Sequence, residues 1–157
     1  MLRLVEYNEQ YLHESLKWLN DPEIRLLTDT QSIVTPESQQ TWFNGLSDNP
    51  TYKIWGIECD SMPIGACGIK HISSHTHTHT RRGEYWGYIG EKAYWGGKGH
   101  DLMHLVFDKA KELKIDELYL FVLRINPRAK QLYLSEGFEI EREEEREIWM
   151  RKFINAD

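Results

Sequence analysis

The chain has 157 residues, with 25 acidic against 19 basic side chains and a formal net charge of −6. That length suits one domain with its own core, and the acidic balance argues against nucleic acid as a main partner, since phosphate binding normally needs a basic face. No apolar run approaches the roughly 20 residues that cross a bilayer, and the opening M-L-R-L-V-E-Y lacks the apolar stretch of a secretory leader, so a cytoplasmic protein without membrane contact is expected.

Leu2, Leu4 and Tyr7 open a short strand. Asn8 is placed to cap a helix over residues 9–20, with Leu12, Leu16 and Leu19 on one face. Asp21-Pro22 starts a further turn of helix to Leu27, and Thr35-Pro36 sets a cap and a first-turn proline before a helix carrying Trp42, Phe43 and Leu46 that ends near residues 48–50. Strands are predicted over 52–58 and 63–72, turning at Asp60-Ser61, and over 83–90. Cys59 and Cys67 form no CxxC and read as small buried thiols. A helix over 101–114 buries Leu102, Leu105, Val106, Ala110 and Leu113. A strand over 118–123 follows, then a helix capped by Asn126 and stopped by Gly137, then strands over 138–142 and 148–153. The acidic run Glu143-Glu144-Glu145 between them reads as a solvated turn. The whole is a single mixed α/β domain over residues 1–157 with no repeats.

The stretch G-G-K-G-H-D-L-M-H from Gly96 to His104 admits two readings. Gly96, Gly97 and Gly99 free the backbone to approach a phosphate, the N-terminus of the next helix adds positive potential, and Lys98 adds charge. His100 and His104 are four apart and resemble half of a zinc motif, but the residue after the first histidine is Asp101 rather than glutamate, and His100 falls in the first helical turn. Phosphate is favoured and no metal is expected. The alternation His75, His77, His79 puts three imidazoles on one face at roughly 7 Å spacing if extended, too wide for one tetrahedral ion, and reads as a polar hairpin loop.

With this order of elements the chain resembles the GNAT N-acyltransferase superfamily over nearly its whole length. Four pieces carry the resemblance: L-K-W-L-N-D-P-E-I-R (16–25), R-G-E-Y-W-G-Y-I-G (82–90), G-G-K-G-H-D (96–101) and N-P-R-A-K-Q-L-Y-L-S-E-G-F (126–138). The third is similar to the Q/R-x-x-G-x-G/A turn, and the last, similar to N-x-x-A-x-x-L-Y-x-x-x-G-F, is the most specific. The resemblance implies a mixed, mostly antiparallel sheet of six to seven strands flanked by helices. It implies a splay between the fourth and fifth strands that takes acetyl-CoA as cosubstrate. Backbone groups of Tyr88, Ile89 and Gly90 would hold the pantetheine, and amides of Gly97, Lys98, Gly99, His100 and Asp101 the pyrophosphate. Asn126 would face the cofactor arm, and Tyr133 would protonate the leaving thiolate. The chain departs from the pattern at Gly96, where the family keeps Gln or Arg, and at Asp101, where it keeps a small residue. A carboxylate there repels a pyrophosphate unless it points away or pairs, for example with Lys98.

Acetyl transfer to an amine needs a base, and Glu84, in phase with Trp86 and Tyr88 on one strand face, is the candidate. The expected partner is a small-molecule amine, and the expected assembly a monomer or homodimer. The opening helices are most similar to the branch acting on ribosomal proteins and nucleotide-linked amino sugars. An amino sugar is the first expectation, with Trp86, Tyr88 and Trp42 as stacking surfaces. A protein N-terminal amine or a polyamine is the alternative acceptor, and a CoA-binding relative without catalysis the non-enzymatic one.

Overall fold

The computed structural model describes residues 1–30, 33–75 and 80–154. In chain order the elements are β1 (Leu2–Glu6), α1 (Glu9–Leu19), α2 (Pro22–Thr28), α3 (Pro36–Asn44), β2 (Lys53–Cys59), β3 (Met62–His75), β4 (Thr80–Ile89), a 3-10 turn (Lys92–Tyr94), α4 (Gly99–Glu112), β5 (Glu117–Leu123), α5 (Pro127–Ser135), β6 (Glu139–Glu143) and β7 (Glu147–Phe153). The seven strands are hydrogen-bonded in the order β1-β2-β3-β4-β5-β7-β6. The pairs β1/β2, β5/β7 and β6/β7 are antiparallel, while β4 and β5 run parallel. The expected mixed α/β class and strand number are both found. No helix among the described residues is long and apolar enough to cross a membrane. His77 and His79, and with them most of the predicted histidine hairpin, lie outside the described residues.

Local rules account for most element ends. Asn8, Asp21, Thr35 and Asn126 each accept a backbone N–H at a helix start, and Thr35 and Ser38 close a reciprocal capping box. The β2–β3 turn places Asp60 and Ser61 at φ 49° and 69°, the left-handed pair that suits a tight hairpin. Helix α3 stops at Asn44, earlier than its composition suggests, because Gly45 takes the C-cap and turns carry the chain to β2. Strand β4 begins three residues before its predicted start, and the 3-10 turn is not evident in the sequence.

The residues group into two compact parts, each considered by itself: Met1–Gly68 with Gly87–Lys98, and Ile69–Trp86 with the chain from Gly99 on. In the first part, the buried face of α1 is Tyr11, Leu12, Ser15 and Trp18 rather than Leu12, Leu16 and Leu19. Two glycines explain the rotation. A Cβ on Gly56 would lie 2.3 Å from the Tyr11 ring, and one on Gly90 would lie 2.2 Å from the Trp18 indole. The missing side chains make flat floors for these rings, and Trp18 is 1% exposed. Burying an indole removes on the order of 200 Å² from water, a gross gain of about 5 kcal/mol. In the second part, Leu102, Met103, Val106 and Ala110 of α4 join Leu118, Leu120 and Val122 of β5 and Ile148 and Met150 of β7 in the core. Cys59 and Cys67 are buried free thiols, and burial pushes the Cys67 thiol up.

Candidate active site

The sequence-predicted residues fall in both parts. In the first, Gly96 and Gly97 adopt φ 89° and 78°, and a Cβ on Gly97 would meet nothing within 4 Å. Such a glycine is not kept for packing; its left-handed backbone and open surroundings suit an anion cradle. Lys98 follows, half-buried.

The backbone of Tyr88, Ile89 and Gly90 is partly committed within the chain. The Gly90 N–H donates to the Ile64 carbonyl at 2.6 Å, and the Ile89 carbonyl accepts from the Trp95 indole at 2.7 Å. These bonds fix the strand end rigidly. Tyr88 turns its ring onto Trp18, with centroids 6.2 Å apart, and its hydroxyl donates to Ser15 Oγ at 3.4 Å. Ser15 also shares a hydrogen bond with the Tyr7 hydroxyl at 2.8 Å. Burial raises both phenols, so they stay protonated. This buried hydroxyl trio escapes sequence reasoning; its one signal is a serine on the apolar face of α1. Trp42 stands edge-on to Tyr7 at 5.6 Å and packs near Tyr52 at 6.4 Å. The rings of Trp42 and Tyr88, expected as acceptor surfaces, thus have aromatic partners inside the protein.

In the second part, Gly99 opens α4 for a packing reason. A Cβ there would lie 2.7 Å from Leu132 of α5, so the glycine lets the two helix ends approach. Asp101 is exposed in the first turn of α4, a favourable place for a carboxylate against the helix dipole. His100 and His104 face Glu136, one donating to each carboxylate oxygen at 2.5 and 2.9 Å. Among the described residues no group of three His, Cys, Asp or Glu side chains is arranged to hold a metal ion. The two histidines staple α4 to the end of α5 instead. A cleft of about 390 Å³ beside them, lined by Phe107, Lys111, Lys152 and Phe153 among others, contains none of the predicted site residues.

Burial acts to raise the Glu136 carboxyl, but hydrogen bonds from His100 and His104 outweigh it and hold the group below the usual range. A depressed native value stabilises the fold above the ordinary glutamate value of about 4.3, and that gain disappears as pH falls through the native value. Both imidazoles are exposed, so screening limits the gain to about 0.5–1 kcal/mol. Glu136→Gln is expected to lower the melting temperature by about 1–4 °C at neutral pH. Melting curves of the two proteins should converge as pH falls through the depressed native value; a constant gap would show that the carboxylate's charge is not what stabilises.

Asn126 uses its side-chain oxygen to cap α5, accepting from the Ala129 N–H at 3.3 Å. Tyr133 is half-buried and packs edge-on against Tyr85 at 6.4 Å and Phe138 at 5.7 Å. Burial pushes its phenol up to about 12. Glu84 sits at the last rung of the parallel ladder between β4 and β5, opposite Tyr119, and is 6% exposed. His71 Nε2 of β3 lies 3.9 Å from its Oε1. Arg82, two residues earlier, is engaged with Glu117 at 2.5 Å and lies 4.4 Å over the Tyr119 ring. Tyr85, next to Glu84 but on the opposite strand face, holds the ring of Tyr133 against β4. Trp86 is half-buried at the end of this part of the strand.

The comparison with curated proteins by sequence gave no match. Among solved structures, spermidine N-acetyltransferase from Vibrio cholerae, in complex with CoA and spermine, superposes with a TM-score of 0.87 at 19% identity, over 98% of this chain and 95% of that one. N-acetyltransferase PseH from Campylobacter jejuni, in complex with acetyl coenzyme A, gives 0.74 at 21%, over 99% and 100%. At these identities the likeness is one of fold. The family model of the acetyltransferase (GNAT) domain matches residues 1–139, and with the parallel β4–β5 ladder, the glycine turn before α4 and the Asn-capped α5 in place, the chain belongs to the GNAT acetyltransferases.

Proposed function

We propose that the protein moves the acetyl group of acetyl-CoA to the primary amine of a small molecule, and that the acceptor is a nucleotide-linked amino sugar. The observation that carries the catalytic reading is the placement of Glu84, buried at the end of the β4–β5 ladder, on the strand that also fixes Tyr133 through Tyr85. Gly97, Lys98, Gly99, His100 and Asp101 bind the pyrophosphate, the β4 end at Tyr88, Ile89 and Gly90 lines the pantetheine, and Asn126 lies along the arm. Glu84, directly or through one water, takes a proton from the acceptor ammonium. The freed amine nitrogen attacks the thioester carbonyl carbon. The C–S bond then breaks, the thiolate sulfur receives a proton from Tyr133, and the second proton of the acylated nitrogen passes to the Tyr133 phenolate, so that the proton on Glu84 is the one left to discharge. Orienting the two reactants supplies several kcal/mol of the barrier reduction, and the base about 10²–10⁴-fold in rate.

The amino-sugar reading is supported by the similarity of the opening helices, L-K-W-L-N-D-P-E-I-R at 16–25, to the branch that acts on nucleotide-linked amino sugars. A polyamine acceptor is the second reading, favoured by the formal charge of −6, which attracts polycations, and by the engagement of Arg82, Arg142 and Arg151 with carboxylates. Thiol release from acetyl-CoA with a uridine-diphosphate 4-amino sugar, spermidine and a short peptide with a free N-terminus separates the two. The expected result is a kcat/KM at least tenfold higher for the amino sugar. A preference for spermidine replaces the first reading with the second, and silence with all three amines sinks both.

A further inference from the structure

Among the described residues, five that are not glycine have positive φ: Asp29, Asp60, Ser61, His71 and Lys114. Four of them close helices or form the β2–β3 turn, where left-handed backbone is ordinary. His71, at φ 56°, lies inside β3. A left-handed backbone strains a side-chain-bearing residue, and inside a strand it needs a reason. The alternation of β3 slips at this point. Ile69 and Ile72, three apart, both pack over Gly83, whose absent Cβ would lie 2.5 and 3.5 Å from them. An extra residue of this kind re-aims a side chain, as bulges do beside active sites. The side chain re-aimed here is the His71 imidazole, toward Glu84.

The two partners differ sharply in access to water: the Glu84 side chain is 8% exposed and that of His71 65%. Acetylating an ammonium releases one net proton per turnover. A buried base must discharge that proton before it works again. The other titratable or charged groups near Glu84 do not serve. Tyr119 of β5 is a phenol raised by burial and by Glu84 itself. Arg82 of β4 is a permanent cation held by Glu117 and reaching toward Glu141 of β6. Among the described residues only His71, from β3, offers a lone pair and an open face.

We propose that His71 is the proton exit of Glu84. It is a positioning residue that acts through the base and touches neither substrate. The proposal rests on Glu84 being the base. After Glu84 Oε1 takes the amine proton, it passes it to His71 Nε2 across the 3.9 Å gap by a small rotation or one bridging water. The imidazolium then releases a proton to bulk water or buffer, which restores the neutral ring and the free carboxylate.

The test uses His71→Asn, because asparagine also tolerates left-handed backbone and keeps the fold. With the best acceptor of the three-amine panel, kcat is expected to fall about tenfold in dilute non-basic buffer while KM for acetyl-CoA stays within twofold. Raising the concentration of free imidazole should restore most of the rate of the variant and leave the parent unchanged. An unaltered kcat, or a loss that imidazole never restores, overturns the proton-exit role. Glu84→Gln serves as the second arm. If it turns over like the parent, the base assignment fails and the exit with it. If it is inactive while His71→Asn is normal, the base stands and only the exit is lost.

Discussion

Tyr133→Phe is expected to lower kcat about 100-fold while leaving KM for acetyl-CoA nearly unchanged and the melting temperature within about 2 °C. The size follows from the environment of the phenol. Burial raises it to about 12, so it carries its proton at every pH at which the protein is assayed. An ordinary thiol loses its proton near 8.5, so full transfer from such a phenol to a thiolate in water would be uphill by several units. A buried thiolate is raised as well, which narrows the gap without closing it. In the proposed reaction Tyr133 would therefore act first as a hydrogen-bond donor to the sulfur as charge builds there, and the expected loss lies at the lower end of the range for general acids. The ring contacts with Tyr85 and Phe138 survive the change, so stability is preserved. The rate of the parent should show no alkaline loss assignable to Tyr133 below about pH 10, because a raised phenol ionises later than an ordinary one. An unchanged kcat in a folded Tyr133→Phe protein removes the acid role.

The sequence made the architecture readable wherever a signal is local. Caps at Asn8, Asp21, Thr35 and Asn126, the turn at Asp60-Ser61 and the stop at Gly137 depend on a few consecutive residues, and all are found. The face of α1 was not readable, because it is set by glycines 45 and 72 positions away in the chain from the rings they admit. Gly56 and Gly90 admit Tyr11 and Trp18, and no periodicity within α1 reports them. The same holds for Gly99. As a sequence motif it belongs to a phosphate turn, yet its Cβ position is claimed by Leu132, so a packing demand and a binding motif share one residue. His100 and His104 resembled half a metal site only because their partner, Glu136, lies 32 residues beyond His104. His71 was invisible for another reason. A strand pattern tolerates one polar residue in phase, and nothing in I-K-H-I states that the alternation slips there.

Gly65→Ala is expected to be the most destabilising of the small substitutions. A Cβ at this position would stand 2.2 Å from the Tyr88 carbonyl oxygen and 3.0 Å from the Ile89 Cα. These are backbone atoms, so no rotamer change relieves the clash and strands β3 and β4 must move apart locally. That displacement strains the bonds from Gly90 and Glu91 to the Ile64 carbonyl. Overpacking of a close-packed interior costs about 1–3 kcal/mol when side chains yield, and the rigid neighbours here put the cost near the top of that range. For a chain of this size about 3 kcal/mol lowers the melting temperature by about 6–12 °C. Gly99→Ala meets the flexible end of Leu132 instead and should lose less than half as much, while Gly97→Ala, in open space, bears only the strain of its left-handed backbone, about 1 kcal/mol. The β4 end that Gly65→Ala displaces is the segment assigned to the pantetheine. The folded fraction of the variant should therefore also show a raised KM for acetyl-CoA, which separates it from Gly99→Ala by more than stability. Differential scanning calorimetry of the three variants orders the losses; a Gly65→Ala protein that melts with the parent would mean that β3 and β4 do not approach as closely as the glycine allows.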